Sequence, residues 1–434
     1  MQASTRPAHL GPPSPFPVRR APGIAALVGA LAVLAGCASR PSVVVPVSLP
    51  ATSAAEALGP AVACDPVKRD LLLSWIARDS TGWRVWFARR ASHGGTWSAP
   101  VCVSPPGEPV RLEPEASPRI VCDDANRVGI AWSMWGDSAT SSRLSDLRFA
   151  HSSDGGRTWG APVTVNDDTT GGAGSQAFHD LALRSNGVLF AAWVDTRKGA
   201  DSLATAFGEG TDASIWFARS EDFGEHWGPN AAHWSRACQN CRVSLVVDPG
   251  GSLFASFRKH FVGQIRDVVL ARAGGPPVRL HDDHWRMSES PATSPAMALS
   301  RDGTLRLAWF TGAPERAGVW FRENVPELMD STGRELHVLA GDHLPPVHPG
   351  IADAGMGGTL IACDTDSTGE DQLTLVRVEP SGRRVVERFV VPGTAGASYP
   401  VVVADRLSTT AYVAWTCRAG GRTELRLAHW EVGR

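Results

Sequence analysis

A short apolar strand that ends in tryptophan, or in a residue replacing it, recurs along the chain. The copies lie about 45 to 65 residues apart. They are LLLSWIAR (71–78), RVGIAWSMW (127–135), GVLFAAWVD (187–195), GSLFASFRK (251–259), GTLRLAWFT (303–311), GTLIACDTD (358–366) and TAYVAWTCR (410–418). Self-similarity at such a period indicates that one supersecondary unit is repeated, because a single unit cannot bury its own apolar face.

Each copy lies between two further strand patterns. A strand of small residues such as HPGIADA or YPVVVAD precedes it. A strand with charged or aromatic residues, such as VWFARR or IWFARS, follows it, and a fourth strand such as APVTVN often closes the unit. Four short strands at this period predict the blade of a β-propeller. The fold class expected is therefore all-β, a seven-bladed propeller. A six-bladed ring is the alternative, in which the sixth unit, with Cys363 in place of tryptophan, is an insertion.

The last unit stops after its third strand, LRLAHWEV, although a ring must close. The β-branched run VVVPVSL (43–49) precedes the first complete unit and can supply the missing strand. Pro46 is acceptable there because an outermost strand has one unpaired edge. We therefore predict that the N-terminal strand completes the seventh blade.

Length and charge limit the classes of function. The 434 residues allow one large all-β domain, and no long amphipathic helical pattern occurs after the first forty positions. The formal net charge of −2 supplies no basic surface for nucleic acid. We expect three segments, namely 1–36 as a signal peptide, 37–60 as a tether with the closing strand, and 61–434 as the propeller.

The N-terminus indicates a destination outside the cytoplasm. Arg19 and Arg20 precede the uncharged run 23–36, which is too short to span a bilayer but fits a signal-peptide core. The run leads into Leu34-Ala35-Gly36-Cys37, which resembles the lipobox of bacterial lipoproteins. That resemblance implies acylation of Cys37 and a place in the cell envelope, on the outer membrane or its periplasmic face. A small-residue cleavage site with an incidental cysteine is the alternative.

Eight cysteines less Cys37 leave seven, so in an oxidising compartment at least one stays unpaired. Cys238 and Cys241 form a CxxC segment. A structural disulfide is preferred over a redox loop. A zinc site lacks the second CxxC pair that it would need.

Two turn segments share a further pattern, HSSDGGRTWG (151–160) and RSEDFGEHWG (219–228). The Asp and Ser can bond the turn backbone, Gly supplies positive φ, and Trp packs beneath. The matching residues are Ser152, Asp154, Gly156, Thr158 and Trp159 in the first copy and Ser220, Asp222, Gly224 and Trp227 in the second, where His226 replaces Thr. A worn copy, SHGGTW (92–97), has lost its Asp.

These segments resemble the Asp-box, or BNR repeat, of the sialidase superfamily. The resemblance covers essentially all of the mature chain and implies a sialidase-like propeller whose boxes lie away from the ligand site. The boxes are therefore expected to be architectural and not catalytic.

Function is expected where the first strands enter the central channel. The polar residues at those entries are Glu115, His179, Asp180, Arg242, His348 and Tyr399, and the region after the second strands adds Asp195, Arg197, Arg258, Arg266 and Asp267. Arg242, Arg258 and Arg266 come from three successive strands of one unit and could clamp a carboxylate, since a guanidinium fork suits that group. Equally, they could bond backbone carbonyls between blades and the neighbouring Asp267.

The resemblance also raises exo-sialidase chemistry, which uses an arginine cluster, a Tyr–Glu nucleophile and an Asp acid. Tyr399 could be the nucleophile, with Glu115 or Glu289 as its partner and Asp180 as the acid. Active members place their arginines on different blades, however, and open with an Arg-Ile-Pro type segment; here Pro118-Arg119-Ile120 has another order. A metal site from His179, Asp180 and His348 is a weaker alternative, and no cofactor or metal is expected.

We therefore expect a membrane-anchored, monomeric propeller that binds a carbohydrate or protein ligand at the channel mouth, with ligand contacts from Arg242, Arg258, Arg266, Asp267 and His179. Turnover is not expected. The rival function is a sialidase-type glycoside hydrolase using Tyr399, Asp180 and Glu115. A third possibility is an assembly scaffold for envelope proteins, which would present an exposed apolar patch.

Overall fold

A computed structural model describes residues 42–50, 56–92, 95–136, 145–168, 174–197, 213–324, 334–340, 347–366, 370–405, 407 and 410–433. Residues Arg40–Arg434 form one compact unit. The predicted signal peptide, its cleavage site and Cys37 lie outside the described residues, as do His93 and Gly94 of the worn turn segment. No helix in the described ranges has the length and hydropathy needed to cross a bilayer.

The described residues form seven four-stranded antiparallel sheets, numbered here as blades 1 to 7. The first strand in the chain is β1 (Val43–Pro46). Blade 1 holds β2 (Ala57–Cys64), β3 (Leu71–Asp79), β4 (Gly82–Arg90) and β5 (Val101–Cys102). Blade 2 holds β6 (Arg119–Cys122), β7 (Val128–Trp135), β8 (Ser145–Ser152) and β9 (Val163–Thr164). Blade 3 holds β10 (Gln176–Leu183), β11 (Leu189–Asp195), β12 (Ser214–Ser220) and β13 (Ala231–Ser235).

The remaining blades follow in chain order. Blade 4 holds β14 (Ser244–Val247), β15 (Leu253–Phe261), β16 (Ile265–Arg272) and β17 (Val278–Arg279). Blade 5 holds β18 (Ala296–Leu299), β19 (Leu305–Thr311), β20 (Gly318–Asn324) and β21 (Glu335–Ala340). Blade 6 holds β22 (Gly350–Asp353), β23 (Thr359–Asp366), β24 (Asp371–Val378) and β25 (Val385–Val390), and blade 7 holds β26 (Ala397–Ala404), β27 (Thr410–Ala419) and β28 (Arg422–Glu431) together with β1. Short 3-10 turns occur at Pro114–Ala116 and Gly355–Gly357.

The prediction of an all-β, seven-bladed propeller is confirmed, and the six-bladed alternative is wrong. Each repeated apolar segment is the second strand of a blade, and Cys363 lies fully buried in a complete sixth sheet. The smaller side chain is accommodated because Ile361 and Val376 share its cluster with Val319 and Phe321 of blade 5.

The N-terminal strand closes the ring as predicted. β1 pairs antiparallel with β28, with Val43 opposite Glu431 and Pro46 opposite Ala428. Val44 points into the cluster between blades 6 and 7, whereas Val43 and Val45 are exposed. One blade therefore contains both ends of the described chain, which ties the ring shut.

Apolar clusters between neighbouring blades hold the ring together. Each of the seven buried clusters draws on two adjacent sheets, and the second-strand tryptophans Trp75, Trp132, Trp193 and Trp309 are almost wholly buried in them. Alternating side chains of one strand reach opposite faces of its blade, so a single strand contributes to both of its interfaces. This explains the apolar runs that define the repeat.

The two complete turn segments link neighbouring blades. Ser152 and Asp154 bond each other and the backbone amides of Gly156 and Thr158 at 2.8–2.9 Å. Trp159 then packs edge-on against Phe87 of the preceding blade, at 5.3 Å between ring centroids. In the second copy Trp227 meets Phe149 of its preceding blade at 5.4 Å. Both segments lie between third and fourth strands, as expected for an architectural role.

Histidine serves in the second copy where the first has threonine. His226 Nδ1 lies 2.7 Å from Asp222 Oδ2, the same contact that the Thr158 hydroxyl makes to Asp154 at 2.7 Å. A ring N–H can donate in place of the hydroxyl. In the worn first copy, Trp97 packs against the cluster between blades 7 and 1 and donates to the Ser48 carbonyl at 2.7 Å, beside the closing strand.

Candidate functional site at the channel mouth

The first strands of the seven blades contact one another around the axis and line a central channel. In every blade the pairing register sets one first-strand residue opposite the residue that precedes the second-strand tryptophan or its substitute. These residues are Ala61, Arg119, Asp180, Ser244, Ala296, Gly350 and Val401. The face where the first strands begin is called the mouth below, and the face where they end is called the lower face.

Two further levels lie above this one. The preceding residue is proline in five blades, and the others carry His179 and Val243. The level nearest the mouth holds Gly59, Ser117, Phe178, Arg242, Ser294, His348 and Tyr399. Three of the strands carry a bulge here, so that two residues face one tryptophan: Gly59 and Pro60 in β2, Phe178 and His179 in β10, and Tyr399 and Pro400 in β26.

The bulges place Phe178 and Tyr399 in an unusual backbone conformation. Their φ angles are 56° and 50°, in the left-handed region that non-glycine residues seldom occupy. Such a conformation persists only where surrounding contacts enforce it, and it is concentrated at ligand and active sites. For Tyr399 the enforcing contacts include the bond from its backbone N–H to Asp364 Oδ2, at 2.9 Å.

A narrow cavity lies among the mouth residues. Its volume is about 10 Å³, room for roughly one water molecule. Its polar lining comes from Glu115, Ser117, Arg119, Arg242, Ser294, His348 and Tyr399. Below it the channel widens to about 240 Å³ beside Arg119, Asp180 and Arg242. Four predicted site residues, Glu115, Arg242, His348 and Tyr399, are thus brought together, with Asp180 directly beneath.

Glu115 is tied into the mouth from two sides. The Ser294 hydroxyl donates to Glu115 Oε2, and the backbone N–H of Arg242 does so at 3.4 Å. The Arg242 guanidinium lies 3.9 Å from the same oxygen. Glu115 therefore links the residues that enter blades 4 and 5. Among the described residues, no hydrogen bond joins its carboxylate to the phenol of Tyr399.

His348 is held as an imidazolium. Its Nδ1 lies 2.7 Å from Asp364 Oδ2 and its Nε2 lies 3.0 Å from the Ala292 carbonyl, so both nitrogens face acceptors and both must carry a proton. Burial alone would lower the pKa of His348, but the charges of Asp364 and Glu115 and the Ala292 carbonyl raise it. The Tyr399 ring stacks on this cation.

The guanidinium groups of Arg119 and Arg242 share the channel, and the nearby carboxylates neutralise their positive charges only in part. Arg119 Nε lies 3.3 Å from Asp180 Oδ1. Burial and then the nearby charge of Arg242 lower the pKa of Arg119 to about 10. Within the described part of the chain, neither arginine donates a hydrogen bond from its terminal guanidinium nitrogens. Asp180 accepts from the backbone N–H of Leu245 at 2.8 Å, and burial raises its pKa against the opposing charges of both arginines.

Arg258 does not reach the cavity. Its three guanidinium nitrogens donate to the backbone carbonyls of Thr293, Arg266 and Phe310 at 2.7–3.2 Å, and its guanidinium lies over the Trp285 ring. The structure therefore gives Arg258 the role of a brace between blades 4 and 5. The clamp of three arginines from one blade is not formed, because successive strands of a blade lie at increasing distances from the axis.

Arg266, Asp267 and His179 are also removed from the mouth cavity. Arg266 bonds the carbonyls of Met287 and Ser288, and Asp267 accepts the backbone N–H groups of His284 and Trp285 at 3.1 Å. His179 is fully buried with Nδ1 3.3 Å from Ser133 Oγ. Burial and the charge of Arg119 lower the pKa of His179 to about 3, which keeps the ring neutral.

The other sequence candidates are likewise explained by local contacts. Asp195 accepts from Trp193 Nε1 and Arg197 at 2.8 Å, and Glu289 is exposed and does not line the cavity. Cys238 and Cys241 are joined by a disulfide, the preferred prediction, and Cys64, Cys102, Cys122, Cys363 and Cys417 are free. Among the described residues, His179, Asp180 and His348 do not form a metal-ligating group, and both nitrogens of His348 are already bonded.

Sequence reasoning missed Arg119, Ser294 and Asp364. A signal for the first two was present, because a residue–proline pair opens five first strands: Gly59-Pro60, Ser117-Pro118, Ser294-Pro295, His348-Pro349 and Tyr399-Pro400. Aligning these pairs puts Ser294 level with Tyr399 and Arg119 level with Ala61 and Val401. Asp364 had no such signal, because its role is to bond His348 and the backbone N–H of Tyr399, which lie far from each other in the chain.

Comparison with known proteins supports the fold. No protein-family model matches the sequence, and no curated protein matches it. An ulvan lyase of polysaccharide lyase family PL25 aligns with a TM-score of 0.54 at 11% identity, over 86% of this chain and 93% of that one. The GH93 α-L-arabinofuranosidase of Fusarium graminearum gives 0.52 at 13% (90% and 97%), and an α-L-arabinanase of Penicillium chrysogenum gives 0.51 at 14% (91% and 98%). This chain is therefore similar in fold to propeller enzymes that act on carbohydrates.

Proposed function

We propose that the protein is a lipid-anchored, extracytoplasmic propeller that binds an acidic carbohydrate at the channel mouth without cleaving it. The observation that carries the proposal is the pair Arg119 and Arg242. Their guanidinium groups face the same channel, repel each other, and keep terminal donors unbonded among the described residues. A carboxylate or sulfate placed between them would satisfy those donors and relieve the repulsion.

Several contacts favour binding over turnover. The Glu115 carboxylate that a tyrosine nucleophile would need as its partner is held by Ser294 and Arg242. Burial, followed by the charges of Glu115 and Asp364, raises the pKa of Tyr399, so its phenol stays protonated at neutral pH. Activation of a nucleophile requires the opposite shift or an adjacent base. The solved structures of similar fold act on carbohydrates, and this is the reason for proposing a carbohydrate as the ligand.

The binding proposal is tested with the full chain, extracted in detergent, on an array of neutral, uronate-containing and sialylated glycans. Binding restricted to acidic glycans is expected. Arg242→Gln should weaken it by about tenfold to a hundredfold, as for the loss of one buried charge-assisted contact. Arg219→Gln, on an exposed arginine far from the axis that pairs with Glu221, is the matched control. Equal binding of neutral glycans would contradict the proposal.

Sialidase-type hydrolysis is the second candidate. It is favoured by one observation, that Tyr399 and Glu115 line the same cavity with Asp180 below. Hydrolysis of a fluorogenic sialoside by the wild type, abolished in Tyr399→Phe and retained in Arg219→Gln, would establish it and overturn the binding-only proposal. The lipid anchor is tested separately by mass spectrometry and by Cys37→Ser, which should release the chain from the membrane fraction.

A further inference from the structure

The first-to-second-strand turns of blades 6, 7 and 1 lie on the lower face beside the N-terminal entry to the propeller. The pairing register sets this, because Thr410, Glu431 and Val43 lie side by side across β27, β28 and β1. Thr410 begins β27 directly after the lower turn of blade 7, so β1 also begins at the lower face. The N-terminal chain therefore enters from the side opposite the mouth.

Exposed apolar side chains gather at this part of the lower face. Seven large hydrophobic residues are exposed in the described ranges, and four of them lie here, with exposed fractions of 49% for Val43, 63% for Val67, 92% for Met356 and 69% for Leu407. We call these four residues the lower apolar edge. The corresponding turns of blades 2 to 5 carry no exposed large hydrophobic residue and have Asp124, Asn186, Gly250 and Asp302 at their tips.

Direct contacts link the segments that carry these residues in pairs. An ion pair between Arg69 and Asp405 joins the turn that carries Val67 to the turn that carries Leu407. Gly433 donates its backbone N–H to Ser42 Oγ at 3.0 Å, beside Val43. Val432 belongs to the same buried cluster as Ala354, which precedes the turn that carries Met356.

Single exposed hydrophobic residues are ordinary, but their concentration next to a chain terminus is not. Ser42 follows Cys37 by five residues, and a fully extended chain of five residues spans at most about 18 Å. Resting on the lipid anchor of the proposed function, we infer that the lower apolar edge lies against the bilayer. Val67, Met356 and Leu407 enter its interface, and the channel mouth faces away from the membrane.

The orientation has a functional consequence. Acyl chains at Cys37 bind a bilayer more firmly when a second contact supports them, and apolar side chains in the interface supply one. A tether of only five residues, with a supporting edge, holds the propeller at the surface with its mouth turned to the aqueous side. A ligand in solution or on a facing surface then reaches the mouth without passing the membrane.

Site-specific photocrosslinking tests this orientation. The full chain carries a benzophenone amino acid at position 67, at position 356 or, as the matched control, at position 262. Val262 is 67% exposed, close to the 63% of Val67, but lies in the β15–β16 turn on the mouth side. The chain is reconstituted on vesicles of phosphatidylethanolamine and phosphatidylglycerol, and covalent lipid adducts and the state of Cys37 are read by mass spectrometry.

Lipid adducts at positions 67 and 356, several-fold above those at position 262, are expected. Acylated Cys37 with adducts equal at all three positions, or with none, overturns the orientation and leaves the anchor intact. Unmodified Cys37 and no flotation with vesicles overturns the anchor and the orientation together. In a second measurement, Met356→Ser with Leu407→Ser should lower retention of the acylated chain on vesicles severalfold, whereas Val262→Ser should not change it.

Discussion

The His348 ring stacks on the Tyr399 ring at 3.8 Å between centroids, with 29° between their planes. Asp364 fixes both residues, since it pairs with the imidazole of His348 and accepts the backbone N–H of Tyr399. One carboxylate thus joins the first strands of blades 6 and 7 at the mouth. The stack holds the strained Tyr399 backbone in place and makes the mouth sensitive to the charge on His348.

Stability should therefore fall as His348 loses its proton. Its folded-state pKa is raised above the unfolded value of about 6.5, so its contribution is complete below that pH and is lost as the pH rises through the folded pKa. A charge-assisted bond contributes about 1.5–3 kcal/mol. Urea titrations across neutral and alkaline pH should show this decline in the wild type and a flatter profile in His348→Gln. Parallel profiles would contradict the assignment of an imidazolium.

Gly156→Ala should destabilise the protein more than an ordinary glycine replacement. Gly156 has φ of 90°, and an added Cβ would lie 2.0 Å from Phe87 Cε1 of the preceding blade. Gly274→Ala is the control, because its φ is 83° but nothing lies within 4 Å. Both pay the backbone strain, and overpacking should add roughly 1–3 kcal/mol at Gly156 alone. Thermal and urea unfolding of the two variants gives the difference directly; equal losses would mean that Phe87 can move aside.

Val44→Asp should weaken ring closure. Val44 packs into the cluster between blades 6 and 7, whereas the neighbouring Val45 is exposed on the other face of the same strand. A carboxylate at Val44 faces apolar side chains without a partner, and we expect a loss of about 2 kcal/mol or more. Val45→Asp should cost less than about 0.5 kcal/mol. If both variants unfold at the same urea concentration, β1 does not contribute to stability by packing.

The two classes of arginine should separate in stability measurements. Arg258→Met leaves three carbonyl groups without their donor, and we expect a loss of about 3 kcal/mol or more. Arg242→Met removes a charge that repels Arg119 and breaks only the 3.9 Å ion pair with Glu115, so it should cost less than Arg258→Met. Equal losses in urea unfolding would show that Arg242 is also structural and would weaken its assignment to ligand binding.

The number and order of the blades could be predicted from the sequence, because each blade has a short sequence pattern of its own. The tryptophan of most second strands, the turn before it and the count of strands per unit can all be recognised from short local patterns. Even the closing strand at Val43–Pro46 could be predicted, since the last unit lacked a partner and only one β-branched run was left over. Cys363 shows the limit of the pattern, because its burial came from Ile361, Val376 and blade 5.

The candidate site was only partly accessible. The polar residues at the strand entries were recognisable in the sequence, namely Glu115, Arg242, His348 and Tyr399. Arg258 is also an arginine, but it binds backbone carbonyls between blades and does not line the cavity. The sequence by itself determined a ring of seven repeated sheets, because burial of alternate side chains is a local requirement repeated in every unit. Only the tertiary structure decided which polar residues meet, because partners such as His348 and Ala292 lie far apart in the chain, and their contact depends on how far each strand lies from the axis.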